Sequence, residues 1–183
     1  MASDADPSLG SGQVPLADSP RRLFVLAALA TVALDLVTKL IAEATLLRTP
    51  GIPVLGDWFQ LRLVYNQGAA FGLHVGPYSR WIFFAVALVA VFVLARMSRS
   101  SPAADRFRQF ALGLVAGGAA GNLIDRIRSA RGVVDFLDVG IGAYRWPTFN
   151  VADIAVSCGA IALAISLWRE DARRSEAESV PAA

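Results

Sequence analysis

Four long apolar runs dominate the hydrophobic pattern of the chain, with polar connections between them. The runs approach the roughly 20 residues that an α-helix needs to cross the hydrocarbon core of a bilayer. We therefore predict membrane spans at about 23–42, 81–95, 110–127 and 151–168, within one membrane domain at 21–170. The polar composition of residues 1–20 predicts a disordered tail, and residues 171–183 form a second polar tail.

Two long connections, 44–77 and 128–148, carry shorter patterns. Residues 58–65 alternate polar with apolar side chains, which is the period of a half-buried strand. Residues 132–138 indicate a short strand or extended segment, in which Asp135 lies between apolar neighbours. The pattern as a whole predicts an all-α membrane fold of four transmembrane helices, with a small β-sheet at the interface on the outer side.

Composition supports a membrane protein, because 55% of the residues are hydrophobic and only 17% are charged. The net charge of +2 does not indicate nucleic-acid binding, since the arginines flank apolar runs and do not form a stripe. They act as topology signals, and the positive-inside rule predicts that both termini are cytoplasmic. The single cysteine, Cys158, allows no internal disulfide and is predicted to be a small residue packed between helices.

Polar side chains within the apolar runs form the main functional signal, because charge at membrane depth is unfavourable by about 2.5 to 3.5 kcal/mol per residue. Odd-numbered spans end, and even-numbered spans begin, on the outer side. The polar residues of three spans therefore reach one level, beneath the outer loops. The residues that converge there are Asp35 and Lys39, Asn122, Asp125 and Arg126, Asn150 and Asp153, and the loop residues Asn66 and Asp135.

Paired carboxylates without a Ser or Cys nucleophile or a metal cluster indicate general acid–base hydrolysis through water. A helix N-terminus favours the ionised form of Asp153, so Asp135 is expected to hold the shared proton more often. His74, the only histidine, has no other ligand nearby in sequence, so we expect no metal and no cofactor. Asp125 is the second candidate for the pair.

Structural explanations exist for the same residues. Asp153 stands three residues after Asn150, which predicts a capping box, and Asp35 and Lys39 could form a self-neutralising i, i+4 pair. Gly113, Gly117 and Gly121 form a GxxxGxxxG face that predicts close helix packing. A small transporter and a structural membrane subunit are the alternative functions, although the charges gather at one edge and no internal repeat is evident.

Five sequence blocks together resemble bacterial lipoprotein signal peptidase, also called signal peptidase II. In chain order they read DLVTK at 35–39, NQGAAF at 66–71, GGAAGNLIDR at 117–126, VVDF at 133–136 and FNVAD at 149–153. The resemblance implies an aspartic endopeptidase of the bacterial cytoplasmic membrane. Such an enzyme removes signal peptides from diacylglyceryl-modified prolipoproteins, cutting before the lipidated cysteine.

The resemblance also implies roles for individual residues. Asp135 and Asp153 become the catalytic pair, and Leu36 stands where the family usually has Gln. We expect a monomer that contacts membrane lipids and its lipoprotein substrates, with Gly68 in a clamp over the substrate. The supporting or substrate-binding positions are Asp35, Lys39, Asn66, Gly68, Asn122, Asp125, Arg126, Asn150 and Ala152.

Overall fold

A computed structural model describes residues 19–68, 75–102 and 105–179. Its helices are α1 (Ser19–Leu46), α2 (Ser79–Ser100), α3 (Arg106–Arg128) and α4 (Val151–Ser179). Its strands are β1 (Ile52–Leu55), β2 (Phe59–Asn66), β3 (Val133–Ile141) and β4 (Tyr144–Arg145). His74 and the last part of the 66–71 block lie outside the described residues.

Three of the described helices are long and apolar enough to cross a membrane, and they cover Arg21–Leu46, Gly76–Ser100 and Val151–Glu176. Their large apolar side chains point outward, including Leu26 at 63% and Phe92 at 66% exposure. Such surfaces are unfavourable in water and suit contact with lipid. The predicted membrane fold is confirmed.

The helix α3 has a different composition because it lies inside the bundle, in contact with α1, α2 and α4. Its glycines allow this close packing. A Cβ at Gly113 would come within 2.7 Å of the Ala27 side chain, and one at Gly117 within 2.7 Å of Thr31. The GxxxG prediction of helix packing is therefore confirmed. At about 1.5 Å per residue, α3 has the length of a membrane span even though protein, not lipid, surrounds much of it.

The helices extend beyond the predicted apolar runs. Helix α4 continues to Ser179, well into the polar tail predicted from residue 171, and an Arg174 to Glu170 contact at 3.4 Å lies along this extension. At the other end, α1 begins at Ser19, inside the segment predicted to be disordered. Hydropathy marks only the part of a helix that faces lipid, so a helix that continues into water is underestimated.

The sheet is antiparallel with strand order β1-β2-β3-β4, and the predicted strands at 58–65 and 132–138 correspond to β2 and β3. Val64 pairs with Asp135 and Asn66 pairs with Val133, beyond a register shift after Leu61. The sheet packs on the end of α1 through Leu46 and Phe136, among others. This packing holds Asp135 beside the helix ends.

Candidate active site

The structure brings the predicted polar residues together at one end of the helix bundle. Helices α1 and α3 end there, α4 begins there, and β2 and β3 cross above them. Each of the eleven predicted site residues lies within the described part of the chain. Their roles in catalysis stay predictions.

Asp135 lies on β3 and is 2% exposed. One carboxyl oxygen accepts a hydrogen bond from the Asn66 side chain at 3.1 Å, and the other accepts one from the Asn150 side chain at 2.7 Å. Both donors are neutral amides. Burial, followed by the charge of Asp153, raises the pKa of Asp135 from 3.8 to about 7. This direction agrees with the expectation that Asp135 holds a proton.

Asp153 occupies the first turn of α4. Its Oδ2 accepts from the backbone N–H of Asn150 at 3.1 Å, while its own N–H donates to Asn150 Oδ1 at 3.0 Å. This is the reciprocal geometry of the predicted capping box. Its other oxygen, Oδ1, accepts from Asn122 Nδ2 at 2.9 Å. Capping therefore orients the carboxylate and leaves it half-buried at the edge of the cavity described below.

Asn150 joins the two acids. It is fully buried, and its side-chain NH₂ reaches Asp135 Oδ1 at 2.7 Å, the Val134 carbonyl at 3.2 Å and Asn122 Oδ1 at 3.2 Å. Because its backbone and side-chain oxygen also contact Asp153, one residue orients both carboxyl groups. Asn150 thereby bridges Asp135 and Asp153 through hydrogen bonds, while their pairing in catalysis stays a prediction.

A second acidic cluster lies deeper, around the fully buried Lys39. The Lys39 ammonium contacts Asp35 at 2.7 Å, Asp125 at 2.8 Å and the Asn122 side-chain oxygen at 2.9 Å. The prediction of a self-neutralising Asp35–Lys39 pair is incomplete, because Asp125 shares the same ammonium. Asp35 also accepts from the Ala152 backbone N–H at 2.9 Å, at the start of α4.

Asp125 is surrounded by donors. Its Oδ1 accepts from Arg128 Nε at 2.8 Å, and its Oδ2 accepts from the Val134 N–H at 3.1 Å in addition to the Lys39 contact. A carboxylate with these partners is fully compensated and tied to α1, α3 and β3 at once. The geometry therefore favours Asp125 as a supporting residue over its alternative role in the catalytic pair.

Arg126 connects α3 to the end of β2. It donates to the Asn122 carbonyl at 3.0 Å and to the Gly68 carbonyl at 2.9 Å. The Gly68 N–H in turn donates to Asn66 Oδ1 at 2.9 Å. Arg126 Nε is buried and has no hydrogen-bond partner in the described part of the chain, so the guanidinium keeps a donor next to the acids. Gly121 has no side chain, and a Cβ at this position would clash with the Asp35 carboxylate.

A cavity of about 620 Å³ opens beside the two acids. Asp135, Asp153, Asn66, Asn122 and Arg126 form its polar part. Its apolar wall comes from α2, α4 and the segment before α4, including Phe83, Val86, Trp146, Phe149 and Ile154. A cavity of this size with a few polar groups at one end suits an elongated, mostly apolar ligand.

Cys158 also lines this cavity and is exposed, so the prediction that it packs between helices is wrong. The apolar run in which it lies is helical, and hydropathy alone does not tell which side of such a helix faces another helix. Its neighbour on α4, Gly159, does pack closely, since a Cβ there would come within 2.9 Å of the Ala111 carbonyl.

Sequence reasoning missed several residues that support the site. Arg80 at the start of α2 donates to the Arg126 carbonyl at 2.7 Å, at the exposed end of α3. Glu43 pairs with Arg128 at 3.0 Å and accepts from the Tyr65 hydroxyl at 3.0 Å. The spacing held a signal for Glu43, since it stands four residues after Lys39 on the same face of α1.

The fold and the site define a multi-pass membrane protein with a buried acidic centre at one end of its helix bundle. The family model described as signal peptidase (SPase) II matches residues 27–169. The chain therefore belongs to the signal peptidase II family.

Individual relatives agree with this assignment. The lipoprotein signal peptidase of Oleidesulfovibrio alaskensis is 41% identical over 150 residues, covering 80% of this chain and 94% of that protein. The lipoprotein signal peptidase of Geobacter metallireducens is 38% identical over 156 residues, covering 85% and 96%. A bacterial membrane enzyme structure obtained by the in meso method at 2.3 Å resolution matches with a TM-score of 0.73 and 31% identity, covering 82% of this chain and 90% of that one.

Proposed function

We propose that this chain is an aspartic endopeptidase that removes signal peptides from diacylglyceryl-modified prolipoproteins, cutting just before the lipidated cysteine. Membership of the signal peptidase II family supports the substrate class. The observation that carries the mechanism is the pair of acids oriented by Asn150 at the polar end of an otherwise apolar cavity.

In the proposed reaction, a water molecule lies between the two carboxyl groups. Asp153, in ionised form, accepts a proton from the water while the water oxygen attacks the scissile carbonyl carbon. Asp135, in protonated form, donates its proton to the carbonyl oxygen, so a neutral tetrahedral intermediate forms. The proton held by Asp153 then passes to the departing amine as the C–N bond breaks, and Asp135 recovers a proton from the intermediate.

The division of roles follows from the surroundings of each acid. Asp135 is buried with neutral amide partners, which favours its protonated form. Asp153 accepts two hydrogen bonds and lies at a helix N-terminus, where partial positive charge favours the carboxylate. Arg126 adds positive charge beside both, and we infer that it limits the repulsion between them when Asp135 is also ionised.

The substrate is anchored in the bilayer by its lipid and by its apolar signal segment. We infer that the apolar wall of the cavity, formed by Phe83 and Val86 of α2 and Ile154 of α4, receives this apolar part. Asn66 at the end of β2 lines the polar end, and the nearby Gly68 accepts a hydrogen bond from Arg126 at its carbonyl and donates one from its N–H to Asn66 Oδ1. A peptide held there would have its scissile bond beside Asp135.

We further propose that the acidic centre lies near the outer face of the bacterial cytoplasmic membrane and that both termini are cytoplasmic. The arginines at the opposite end of the bundle support this orientation under the positive-inside rule. They include Arg21, Arg22, Arg96, Arg99, Arg106, Arg108, Arg169, Arg173 and Arg174.

The test is cleavage of a diacylglyceryl-modified prolipoprotein by the purified protein in detergent. We expect the wild type to cut, and Asp135→Asn and Asp153→Asn to fold and lose activity. Asp138→Asn is the matched control, since Asp138 is equally buried on β3 but pairs with Arg145 at 2.7 Å, away from the cavity. Substantial cleavage by folded Asp135→Asn or Asp153→Asn would refute the assignment of these two acids as the catalytic pair. The next residue to test would then be Asp125.

A further inference from the structure

Glu43 lies at the outer end of α1, outside all five sequence blocks. Its side chain is 21% exposed and contacts three residues. One oxygen, Oε2, pairs with Arg128 at 3.0 Å, and the other, Oε1, accepts from the Tyr65 hydroxyl at 3.0 Å and pairs with Arg131 at 3.4 Å. Arg131 also lies 4.0 Å from the centre of the Tyr65 ring. Glu43 thus joins α1, α3, β2 and the segment before β3.

One branch of these contacts leads to the backbone of Asp135. Arg128 donates to Asp125 at 2.8 Å, and Asp125 accepts from the Val134 N–H at 3.1 Å. Val134 is the residue before Asp135. The backbone position of Asp135 on β3 therefore depends on Asp125 Oδ2, which accepts from Val134. The other oxygen of Asp125, Oδ1, is oriented by Arg128.

A second branch leads to the side chain of Asp135. Tyr65 is adjacent to Asn66, and Asn66 donates to Asp135 Oδ2 at 3.1 Å. Partial burial, followed by the hydrogen bond to Glu43, raises the pKa of Tyr65, which keeps the hydroxyl as a donor. The two strands also meet closely here, because Gly132 lies against the Asn66 carbonyl with a φ of +106°. A shift of Tyr65 would therefore be transmitted to both strands.

We propose that Glu43 is a positioning residue for the reaction, which fixes Asp135 from two sides through Arg128–Asp125 and through Tyr65–Asn66. This inference rests on the proposed function in assigning a reaction to Asp135. It adds a residue that touches neither substrate nor the two acids. The contacts of Glu43 are partly exposed, so they contribute little to global stability and act mainly through geometry.

The experiment compares Glu43→Ala and Glu43→Gln with Asp57→Ala in the full-length protein. Asp57 is the matched control, because its carboxylate also joins strand segments through an arginine, Arg145 at 3.3 Å, but at the far end of the sheet. Two readouts are measured: kcat and KM for prolipoprotein cleavage, and amide hydrogen exchange of the peptide that covers residues 132–137.

For Glu43→Ala we expect kcat to fall about tenfold with KM changed by less than about twofold, since misplacement of a reacting group by a fraction of an ångström affects the chemical step. Exchange at 132–137 should become faster. Glu43→Gln keeps an acceptor for the Tyr65 hydroxyl. Its kcat and its exchange rate at 132–137 should therefore lie between those of Glu43→Ala and the wild type. Asp57→Ala should match the wild type in both readouts.

Wild-type kcat and unchanged exchange in Glu43→Ala would overturn the proposal, as would an equal loss of kcat in Asp57→Ala. If the wild type does not cleave the substrate at all, the proposed function fails. Hydrogen exchange then still decides whether Glu43 fixes β3, because that readout does not depend on turnover: faster exchange at 132–137 supports the positioning, and unchanged exchange refutes it.

Discussion

The buried carboxyl of Asp135 should make the protein less stable as the pH rises, and replacing it should remove that dependence. Asp135 is 2% exposed and accepts hydrogen bonds from two neutral side-chain amides, those of Asn66 and Asn150. Its pKa in the folded protein is raised from 3.8 to about 7 by burial and by Asp153. The folded state therefore binds the proton more tightly than the unfolded state, so stability is highest when the group is protonated in both.

The size of the effect follows from linkage between proton binding and folding. A pKa difference of roughly 3, at 1.36 kcal/mol for each pKa unit, corresponds to about 4 kcal/mol over the whole titration. Stability is lost progressively from about pH 4 and the loss is nearly complete above about pH 7. Between pH 5 and pH 8 the contribution of Asp135 falls by roughly 2 to 3 kcal/mol.

The assay is the free energy of unfolding in detergent micelles, followed by tryptophan fluorescence at pH 5 and pH 8. Asp135→Asn loses hydrogen bonds at both pH values but has no charge to bury at either. We therefore expect the difference in stability, wild type minus variant, to be roughly 2 to 3 kcal/mol smaller at pH 8 than at pH 5. Groups that titrate equally in both proteins cancel in this difference.

Asp138→Asn provides the control on the same strand, where the carboxylate faces Arg145 at 2.7 Å. That substitution removes an ion pair and should destabilise the protein by a similar amount at the two pH values. A pH-independent difference for Asp135→Asn would refute the reasoning, and so would a larger advantage of the wild type at pH 8. Either result would mean that the folded protein compensates the Asp135 charge.

Two further changes test the surroundings of the pair. Lys39→Met leaves Asp35 and Asp125 buried without their shared ammonium. The free energy of unfolding should therefore fall by about 3 to 5 kcal/mol. A fall below about 1 kcal/mol would show that Lys39 does not compensate the charges of the two carboxylates. Gly68→Phe adds bulk where the Gly68 carbonyl meets Arg126 at 2.9 Å, so prolipoprotein cleavage should weaken more than thermal stability does. Normal cleavage by that variant would count against a substrate clamp at this position.

The convergence of polar residues was predictable because it depends on topology and not on detailed packing. Once four spans are assigned, the C-terminal ends of α1 and α3 and the beginning of α4 must lie on one side of the membrane. Asp35, Asn122 and Asp153 therefore had to approach the same level, whatever the tilt of the helices. The capping box of Asn150 and Asp153 was predictable for a similar reason, since it requires only local spacing.

Long-range pairing was not predictable in the same way. The i, i+4 spacing indicated Asp35 as the partner of Lys39, but the ammonium also contacts Asp125, 86 positions further along the chain, at 2.8 Å. Arg80 was missed because it is an ordinary interfacial charge until the end of α3 is in place. The spacing of Glu43 from Lys39 shows a shared face of α1 but does not identify its partners, Arg128 and Tyr65. Cys158 was misplaced because an apolar helix offers no polar face from which its orientation can be inferred.

The three fully or nearly fully buried carboxylates at the site, Asp35, Asp125 and Asp135, differ in how their charge is compensated. Asp35 and Asp125 both contact the Lys39 ammonium and each accepts a backbone N–H, so both carboxylates are tied to neighbouring elements of the fold. Among the residues that the structure describes, Asp135 forms no ion pair and accepts its hydrogen bonds from two side-chain amides. A carboxylate that contacts a cation and a backbone N–H holds helices and strands together. Asp135, held by neutral amides at a cavity wall, is placed to gain and lose a proton, and this contrast supports our proposal that Asp135 takes part in the chemistry while the other two hold the scaffold.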